Sequence, residues 1–318
     1  MTDIALVGAG QLGSRHLQAL AQFDRPATIW VVDPSAQSLA IARERYEQVA
    51  KEPVSARFVQ GVDELPREIE AAVVATGANV RRAAIESLLA RASVKVMLLE
   101  KVLFQRLADY EAIGMLLDGR GVRAWVNCAQ RLWPFFVQFR ERTLGRSNVH
   151  IGVSGADWGL GCNAIHNLDL LGFMTGDPAC RMETALDAGT LPSKRAGFIE
   201  FTGTLSAWNG GGSRVVQTSY RSGNAPFEFE VQTEDARAVW RVADGSGWMS
   251  EAGNDWKWCP MEWRVPYQSQ LTHLVVAQMI DDRTSALPAY AESAALHVSM
   301  LEAFFGHLAP GAESCPIT

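Results

Sequence analysis

Gly8-Ala-Gly10-Gln-Leu-Gly13 sets three glycines where a short apolar run, Ile4–Val7, stops and an amphipathic stretch, Gln11–Gln22, begins. Such a triplet between a strand and a helix suits a phosphate ligand. Gly8 permits the tight turn, Gly10 lets the backbone approach a pyrophosphate, and Gly13 lets helix and strand pack closely. The helix N-terminus then offers its free N–H groups to the anion. Twenty residues beyond Gly13, Asp33 ends a second apolar run, where a carboxylate meets the adenosine ribose hydroxyls of a dinucleotide. No Arg or Lys occurs in Pro34-Ser-Ala-Gln37 to neutralise a 2′-phosphate, so Asp33 favours NAD over NADP. The other reading of Asp33 is a cap on the helix that starts at Ser35. Gly8, Gly10, Gln11, Leu12, Gly13 and Asp33 are thus the candidate cofactor contacts.

The elements that must position this loop follow from the hydropathy pattern. Apolar runs at Ile4–Val7, Thr28–Val32, Ala71–Ala75, Val94–Leu99 and Val122–Val126 read as buried parallel strands. Between them, Gln11–Gln22, Ser35–Ala50, Val80–Arg91 and Arg106–Asp118 read as helices. This alternation predicts an α/β fold with a doubly wound parallel sheet over residues 1–127. From residue 128 to 318 the texture changes, and eight of the ten tryptophans lie at Trp133 or later. Period-two stretches at 198–205, Val215–Tyr220 and 227–231 predict an antiparallel sheet with one face on a core. Helical periodicity at Gly161–Met174, Gln268–Asp281 and Ala289–His307 predicts flanking helices and makes the second domain α+β.

The 318 residues are 48% hydrophobic and 20% charged, with a net charge of -6. That balance supports two folded domains and excludes a nucleic-acid binder, which needs a basic face. The longest apolar runs are strand-sized, so no membrane span is expected. The start of the sequence, where Asp3 is followed at once by the first apolar run, leads to the expectation of no secretory signal. Five cysteines, odd in number and far apart, lack zinc-ligand spacing and read as reduced thiols of a cytoplasmic protein with no metal site.

The glycine loop running on into Ser14-Arg-His16, the pair Glu100-Lys101 after the Val94–Leu99 strand, and His166 with Asp169 together resemble the Gfo/Idh/MocA oxidoreductase family. The resemblance implies a Rossmann domain that binds NAD(P). It also implies a second domain on a large, open, mainly antiparallel sheet, which often mediates assembly as a homodimer or homotetramer. The implied substrate is a small carbohydrate-like molecule: a sugar, sugar acid, cyclitol or nucleotide-sugar. Glu100-Lys101-Val102 matches the family's Glu-Lys-Pro motif, so the catalytic lysine maps onto Lys101, with Glu100 beside the cofactor. Val102 replaces the proline, which leaves open whether the Lys101–Val102 peptide is cis or trans. Gly161-Cys-Asn-Ala-Ile-His166-Asn-Leu-Asp169 resembles the family's Asp-x-Gly-x-His-x-x-Asp motif, with His166 and Asp169 matching.

On a helix Cys162, His166 and Asp169 share one face. An imidazole there suits a general base that removes a hydroxyl proton as hydride leaves the same carbon. Cys162 stands in place of the family's acid, and a thiol is uncharged at neutral pH unless its pKa is lowered. The imidazole's partner is then Asn163 or Asp169. Thr76 and Asn79, in the loop matching the family's Thr-Pro-x-x-x-His, should border the cofactor. Arg131, in an Arg-x-x-Pro element, either meets an anionic substrate group or forms an interdomain salt bridge, and Trp158 is placed to stack on a sugar ring. Two other activities fit the same residues. One is transient oxidation that drives elimination from a glycoside, and the other is non-catalytic NAD sensing.

Overall fold

The computed structural model describes residues 2–178 and 181–318; Cys180, one of the five thiols, lies outside them. The chain forms two compact units, Met1–Asn127 with Pro266–Ala291 and Cys128–Val265 with Glu292–Thr318. The first unit alternates β1 (Thr2–Val7), α1 (Gln11–Leu20), β2 (Ala27–Val32), α2 (Ala36–Glu47), β3 (Val54–Val59), β4 (Glu68–Val74), α3 (Arg81–Arg91), β5 (Ser93–Leu99), α4 (Leu107–Gly119) and β6 (Arg123–Val126). Its six strands are parallel in the order β3-β2-β1-β4-β5-β6, the doubly wound sheet expected from sequence.

The sequence pattern showed five of these strands. It missed β3, the edge strand, in which Val54 and Val59 are buried but Ser55 and Arg57 face water. The apolar side chains of β1, β4 and β5 are buried on both faces, whereas β3 has the weaker signature of a sheet margin.

The second unit holds α5 (Pro134–Thr143), β7 (His150–Ala156), α6 (Leu160–Thr175), β8 (Arg181–Leu186), β9 (Leu191–Pro192), β10 (Ile199–Glu200), β11 (Gly203–Trp208), β12 (Arg214–Tyr220), β13 (Glu228–Gln232), β14 (Ala236–Arg241), β15 (Ser246–Glu251) and β16 (Cys259–Glu262). Helix α7 (Thr272–Asp282) follows, and α8 (Tyr290–Phe305) comes last. Eight strands form one sheet, β16-β15-β14-β13-β7-β12-β11-β8, antiparallel except for the β7–β12 pair; β9 and β10 form a separate ribbon. The run predicted over 198–205 is broken, because β10 ends at Glu200 and β11 starts at Gly203 with φ +102. An aromatic cluster fills the core: Phe135 lies 5.0 Å from Phe136 and 5.1 Å from Trp240 between ring centroids, and Phe136 lies 5.0 Å from Phe229.

One boundary differs from the sequence reading. Residues 266–291 were expected in the second domain, yet they pack with the first unit. The reason lies in unfinished surfaces of the parallel sheet. The β6 edge gains a partner when Val126 N–H donates to the Pro288 carbonyl and Trp125 bridges Ala289. Val275, Val276 and Met279 of α7 are buried on this unit, and α7 packs on α1, β4 and β5. No helix among the described residues is long and apolar enough to cross a membrane.

The β1–α1 turn depends on the size of Gly13: a Cβ there would lie 1.9 Å from the Gly8 carbonyl oxygen. Alanine in a helix is ordinarily favoured over glycine by about 1 kcal/mol. At this position Gly13→Ala should instead lower stability by ~2–3 kcal/mol, as overpacking does, read from the urea midpoint at unchanged slope.

Candidate active site

The glycine turn is shaped by its backbone. Gly8 has φ +96, donates its N–H to the Val32 carbonyl at 2.8 Å, and sits so close to β4 that a Cβ would meet Thr76 N at 2.9 Å. Gly10 caps α1 without a side chain, and a Cβ there would meet nothing within 4 Å. That combination leaves room for a ligand against the first turn of α1. Gln11 is exposed and Leu12 half-buried.

Asp33 Oδ2 accepts the Ala9 N–H at 2.8 Å and Oδ1 accepts the Ser35 N–H at 2.8 Å. The cap of α2 is Ser35, whose hydroxyl accepts the Ser38 N–H, so Asp33 is not itself the cap but joins the glycine loop to the capping residue. Arg45, which the sequence reading passed over, donates to Ser14 Oγ at 2.5 Å and to Gln11 Oε1 at 2.7 Å. Across the turn, Thr76 Oγ1 is buried without a hydrogen-bond partner among the described residues, while Asn79 is exposed.

Lys101 follows β5 and is half-buried. The peptide to Val102 is cis, which answers the question that Val102 raised. Buried Val102, Leu103 and Phe104 anchor the segment. Arg81, itself buried, donates to the carbonyls of Val102, of Leu103 at 2.9 Å, and of Thr76. This residue binds the lysine segment to the Thr76 loop. Its signal in sequence was an arginine where the family motif has histidine.

Glu100 is only 3% exposed, so the expected cofactor contact becomes an anchoring role. Its Oε1 meets His16 Nε2 at 3.0 Å and accepts from Asn127 Nδ2 at 2.5 Å. Asn127 also donates to Gln268 Oε1 at 2.9 Å, Gln268 donates to Thr272 Oγ1 at 2.9 Å, and Thr272 meets His16 Nδ1 at 2.8 Å. The five side chains close a ring within the first unit. Burial alone would raise the Glu100 pKa, but the hydrogen bond and charge of His16, the charge of Lys101 and the Asn127 amide bring it from 4.5 down to about 2. His16 was visible as part of a motif; Asn127, Gln268 and Thr272 had no local signal.

In the second unit, α6 is preceded by Gly159 as its N-cap, with φ +82, and carries His166 half-buried. Asp169 does not share that setting. It is 1% exposed, and its two oxygens accept from Arg131 Nε at 2.7 Å and Nη2 at 2.6 Å. Arg131 also donates to Glu292. The guanidinium expected to meet an anionic substrate group is therefore occupied by two carboxylates of its own unit, and it is not an interdomain bridge. Burial pushes the Asp169 pKa up to about 6 against the lowering effect of Arg131, while Glu292 adds to the rise. Asn163 donates to the Trp158 carbonyl at 3.0 Å and closes the loop before α6. Trp158 donates its Nε1 to the Thr218 carbonyl at 2.8 Å and lies over Phe227, with centroids 5.2 Å apart. No group of three or more His, Cys, Asp or Glu among the described residues is placed to hold a metal ion.

Residues 2–128 match the Gfo/Idh/MocA family model, described as an oxidoreductase family with an NAD-binding Rossmann fold. The myo-inositol dehydrogenase Hyg17 of Streptomyces leeuwenhoekii is 33% identical over 145 residues, which are 44% of this chain and 41% of that relative. The match thus spans less than half of either protein. The UDP-N-acetylglucosamine 3-dehydrogenase GnnA from Acidithiobacillus ferrooxidans is 14% identical and aligns over 95% of this chain and 96% of its own, with a TM-score of 0.71. A super-repressor mutant of Gal80p from Saccharomyces cerevisiae is 13% identical over 96% and 95%, with a TM-score of 0.75. At these identities the two structures show a shared fold.

The Glu100 ring has a pH signature. A carboxylate whose folded pKa lies below its unfolded value stabilises above the unfolded value and loses that effect as pH falls through the folded one. A fall from 4.5 to about 2 corresponds to roughly 3 kcal/mol at ~1.4 kcal/mol per pH unit. Glu100→Gln should be less stable than the parent by about that amount at pH 7, and the gap should close between pH 4.5 and 2 in denaturant titrations.

Proposed function

We propose, from the match of residues 2–128 to the Gfo/Idh/MocA oxidoreductase family model, that the protein is an NAD-dependent dehydrogenase of a secondary alcohol. Its substrate is a sugar, sugar acid, cyclitol or nucleotide-sugar, and the reverse reaction reduces the ketone. The observation that carries this reading is the placement of Lys101 at the carboxyl end of β5, in the parallel sheet whose β1–α1 turn is built from glycine. Open parallel sheets bind ligands outside the carboxyl ends of their strands.

The residues present fit a dinucleotide. Open space at Gly10, the uncapped first turn of α1 and the orphaned Thr76 hydroxyl are each suited to a polar ligand. Gly8, Gly10 and the N–H groups of Gln11 and Leu12 would hold the pyrophosphate. Asp33 already accepts two backbone N–H groups, yet its carboxylate retains lone pairs for ribose hydroxyls and opposes a 2′-phosphate. Arg45, the cation beside this turn, is held by Gln11 and Ser14. When bound, the nicotinamide supplies the hydride acceptor or donor.

The chain supplies placement and proton handling. The Lys101 ammonium holds the reacting oxygen and stabilises the negative charge that develops on it. The His166 imidazole takes the hydroxyl proton in the oxidative direction and returns it in the reductive one. Asp169 acts as a positioning residue: by clamping Arg131 it fixes the rotation of α6, on which His166 stands three residues earlier. The fold shared with a Gal80p super-repressor favours one second reading, a non-catalytic protein that binds the dinucleotide and a partner.

Purified protein mixed with NAD or NADP and a panel of these polyols, followed by nicotinamide absorbance, tests the reading. NAD should serve at least ten-fold better than NADP. Lys101→Ala and His166→Ala should each lower kcat by ~10²–10³-fold while NAD affinity changes little. Bound NAD without turnover, unaffected by either substitution, would support the second reading. Product formation without net absorbance change would point to transient oxidation and elimination.

A further inference from the structure

The first turn of α1 holds a positive charge that its protein neighbours leave unmatched. Arg45 stands in the last turn of α2, half-buried, and its guanidinium reaches the first turn of α1. Nη1 donates to Ser14 Oγ at 2.5 Å and Nη2 donates to Gln11 Oε1 at 2.7 Å. Ser14 is fully buried and donates its own hydroxyl to the Gln11 carbonyl at 3.0 Å, which turns its oxygen toward the arginine. Both acceptors are neutral. Among the described residues Arg45 enters no ion pair, and α1 has no acid in its first turn.

This placement runs against the field of the helix. A helix N-terminus carries about half a positive charge, so a cation held there is repelled. The N-cap is Gly10, which offers no side-chain acceptor to the first N–H groups. Asp33, the carboxylate bonded to this loop, has its two oxygens on the Ala9 and Ser35 N–H groups. A Cβ at Gly10 would meet nothing within 4 Å. The helix terminus and the guanidinium therefore share one turn with an open position, and the group that matches two positive centres is one with two negative charges. A guanidinium has five N–H donors, and only two of them are used here.

We propose that Arg45 is a binding residue for the dinucleotide: its guanidinium, set beside the first turn of α1 by Gln11 and Ser14, balances the diphosphate charge that the helix terminus alone leaves half-matched. The inference rests on the dinucleotide part of the dehydrogenase reading and adds a residue to it. Charge-assisted bonds from arginine to phosphate are stronger than neutral ones, and a side chain already held in place loses less freedom when the anion arrives. Two tasks are then divided between two residues. Asp33 chooses between dinucleotides by their 2′ group, and Arg45 supplies affinity for the diphosphate that NAD and NADP share. Adenosine, which has no phosphate, gains nothing from Arg45.

Calorimetry of the purified protein with NAD, ADP-ribose and adenosine, with a urea titration beside it, tests this. Arg45→Met should weaken NAD and ADP-ribose by roughly 10–100-fold and leave adenosine within about two-fold. The wild-type affinity for NAD should also fall more steeply with added salt than that of the variant. Without ligand the variant should be no less stable than the parent, because a cation leaves the positive end of a helix. A lower urea midpoint with unchanged NAD affinity would make Arg45 structural and overturn the proposal. Equal weakening of all three ligands would overturn it too. Gln11→Ala changes an exposed side chain and removes one of the two holds on the guanidinium, so it should weaken ADP-ribose by about three-fold. Unchanged affinity there overturns the proposal even if Arg45→Met fails to fold. Failure of the wild type to bind NAD would sink the dinucleotide reading itself, whereas equal binding by wild type and variant sinks the role of Arg45 alone.

Discussion

Burying the Glu100 carboxylate at the end of β5 costs several kcal/mol unless charged and hydrogen-bonding partners surround it, and segments far apart in the chain supply them. His16 comes from α1, Asn127 from the residue after β6, and Gln268 and Thr272 from the returning segment. Each partner is also bonded to another member, so displacing one leaves a second buried polar group unsatisfied. The ring thereby fixes the middle of α1, the ends of β5 and β6 and the start of α7 to one another. Lys101 is covalently next to the most constrained residue of that set. Arg81 completes the anchorage by holding the carbonyls just beyond the lysine. What stands at the carboxyl end of the sheet is a cation on a short, anchored segment.

The second unit handles a similar problem with opposite charge. Arg131 is 9% exposed, and its guanidinium is matched by Asp169 in a two-pronged bond and by Glu292. Such a buried pair adds little net stability over an apolar alternative, but removing one member is costly, so its main effect is to fix geometry. The helix so fixed is α6. His166 leaves α6 on the half-exposed side with Cys162 and Asn163, while Asn167 and Asp169 are turned inward to Gln217 and Arg131. The face inferred from i, i+4 and i+7 spacing is thus split: three residues on from His166, Asp169 stands about 60° around the helix and falls on its buried side.

How much of this could be read from sequence depended on how local the cause was. The central strands are buried on both faces and appear as unbroken apolar runs, and the glycine turn is dictated by φ and close approach within six residues. The strands β3, β14, β15 and β16 mix Arg, Glu, Trp and Pro into their pattern, so they left little trace. Helix α5 was missed as well, since Pro134-Phe-Phe-Val-Gln-Phe reads as an apolar run until packing against α6 explains it. The return of residues 266–291 to the first unit is a tertiary choice driven by an open sheet edge, and no periodicity announces it. The same holds for the site: Lys101 and Asp33 stood in motifs, but partners such as Thr272, 256 residues from His16, are set only by the fold.

Position 162 shows how a departure from a motif can be met from elsewhere in the fold. The family motif has an acid on α6 at this point, and this chain has a thiol. A carboxylate nonetheless arrives at the same helical turn from β10, with Glu200 bonded to the backbone N–H of Cys162 itself. The arrangement needs Gly159 and Gly161, because a side chain at either position would press on the Glu200 oxygens. Charge at a helix terminus acts through space, so the sign of the field near His166 depends on where the carboxylate sits and not on which element carries it. A carboxylate on β10 differs from one on α6 in one respect: it is held by burial and by a bond to α6, so its oxygens cannot follow the imagined swing of a helix side chain.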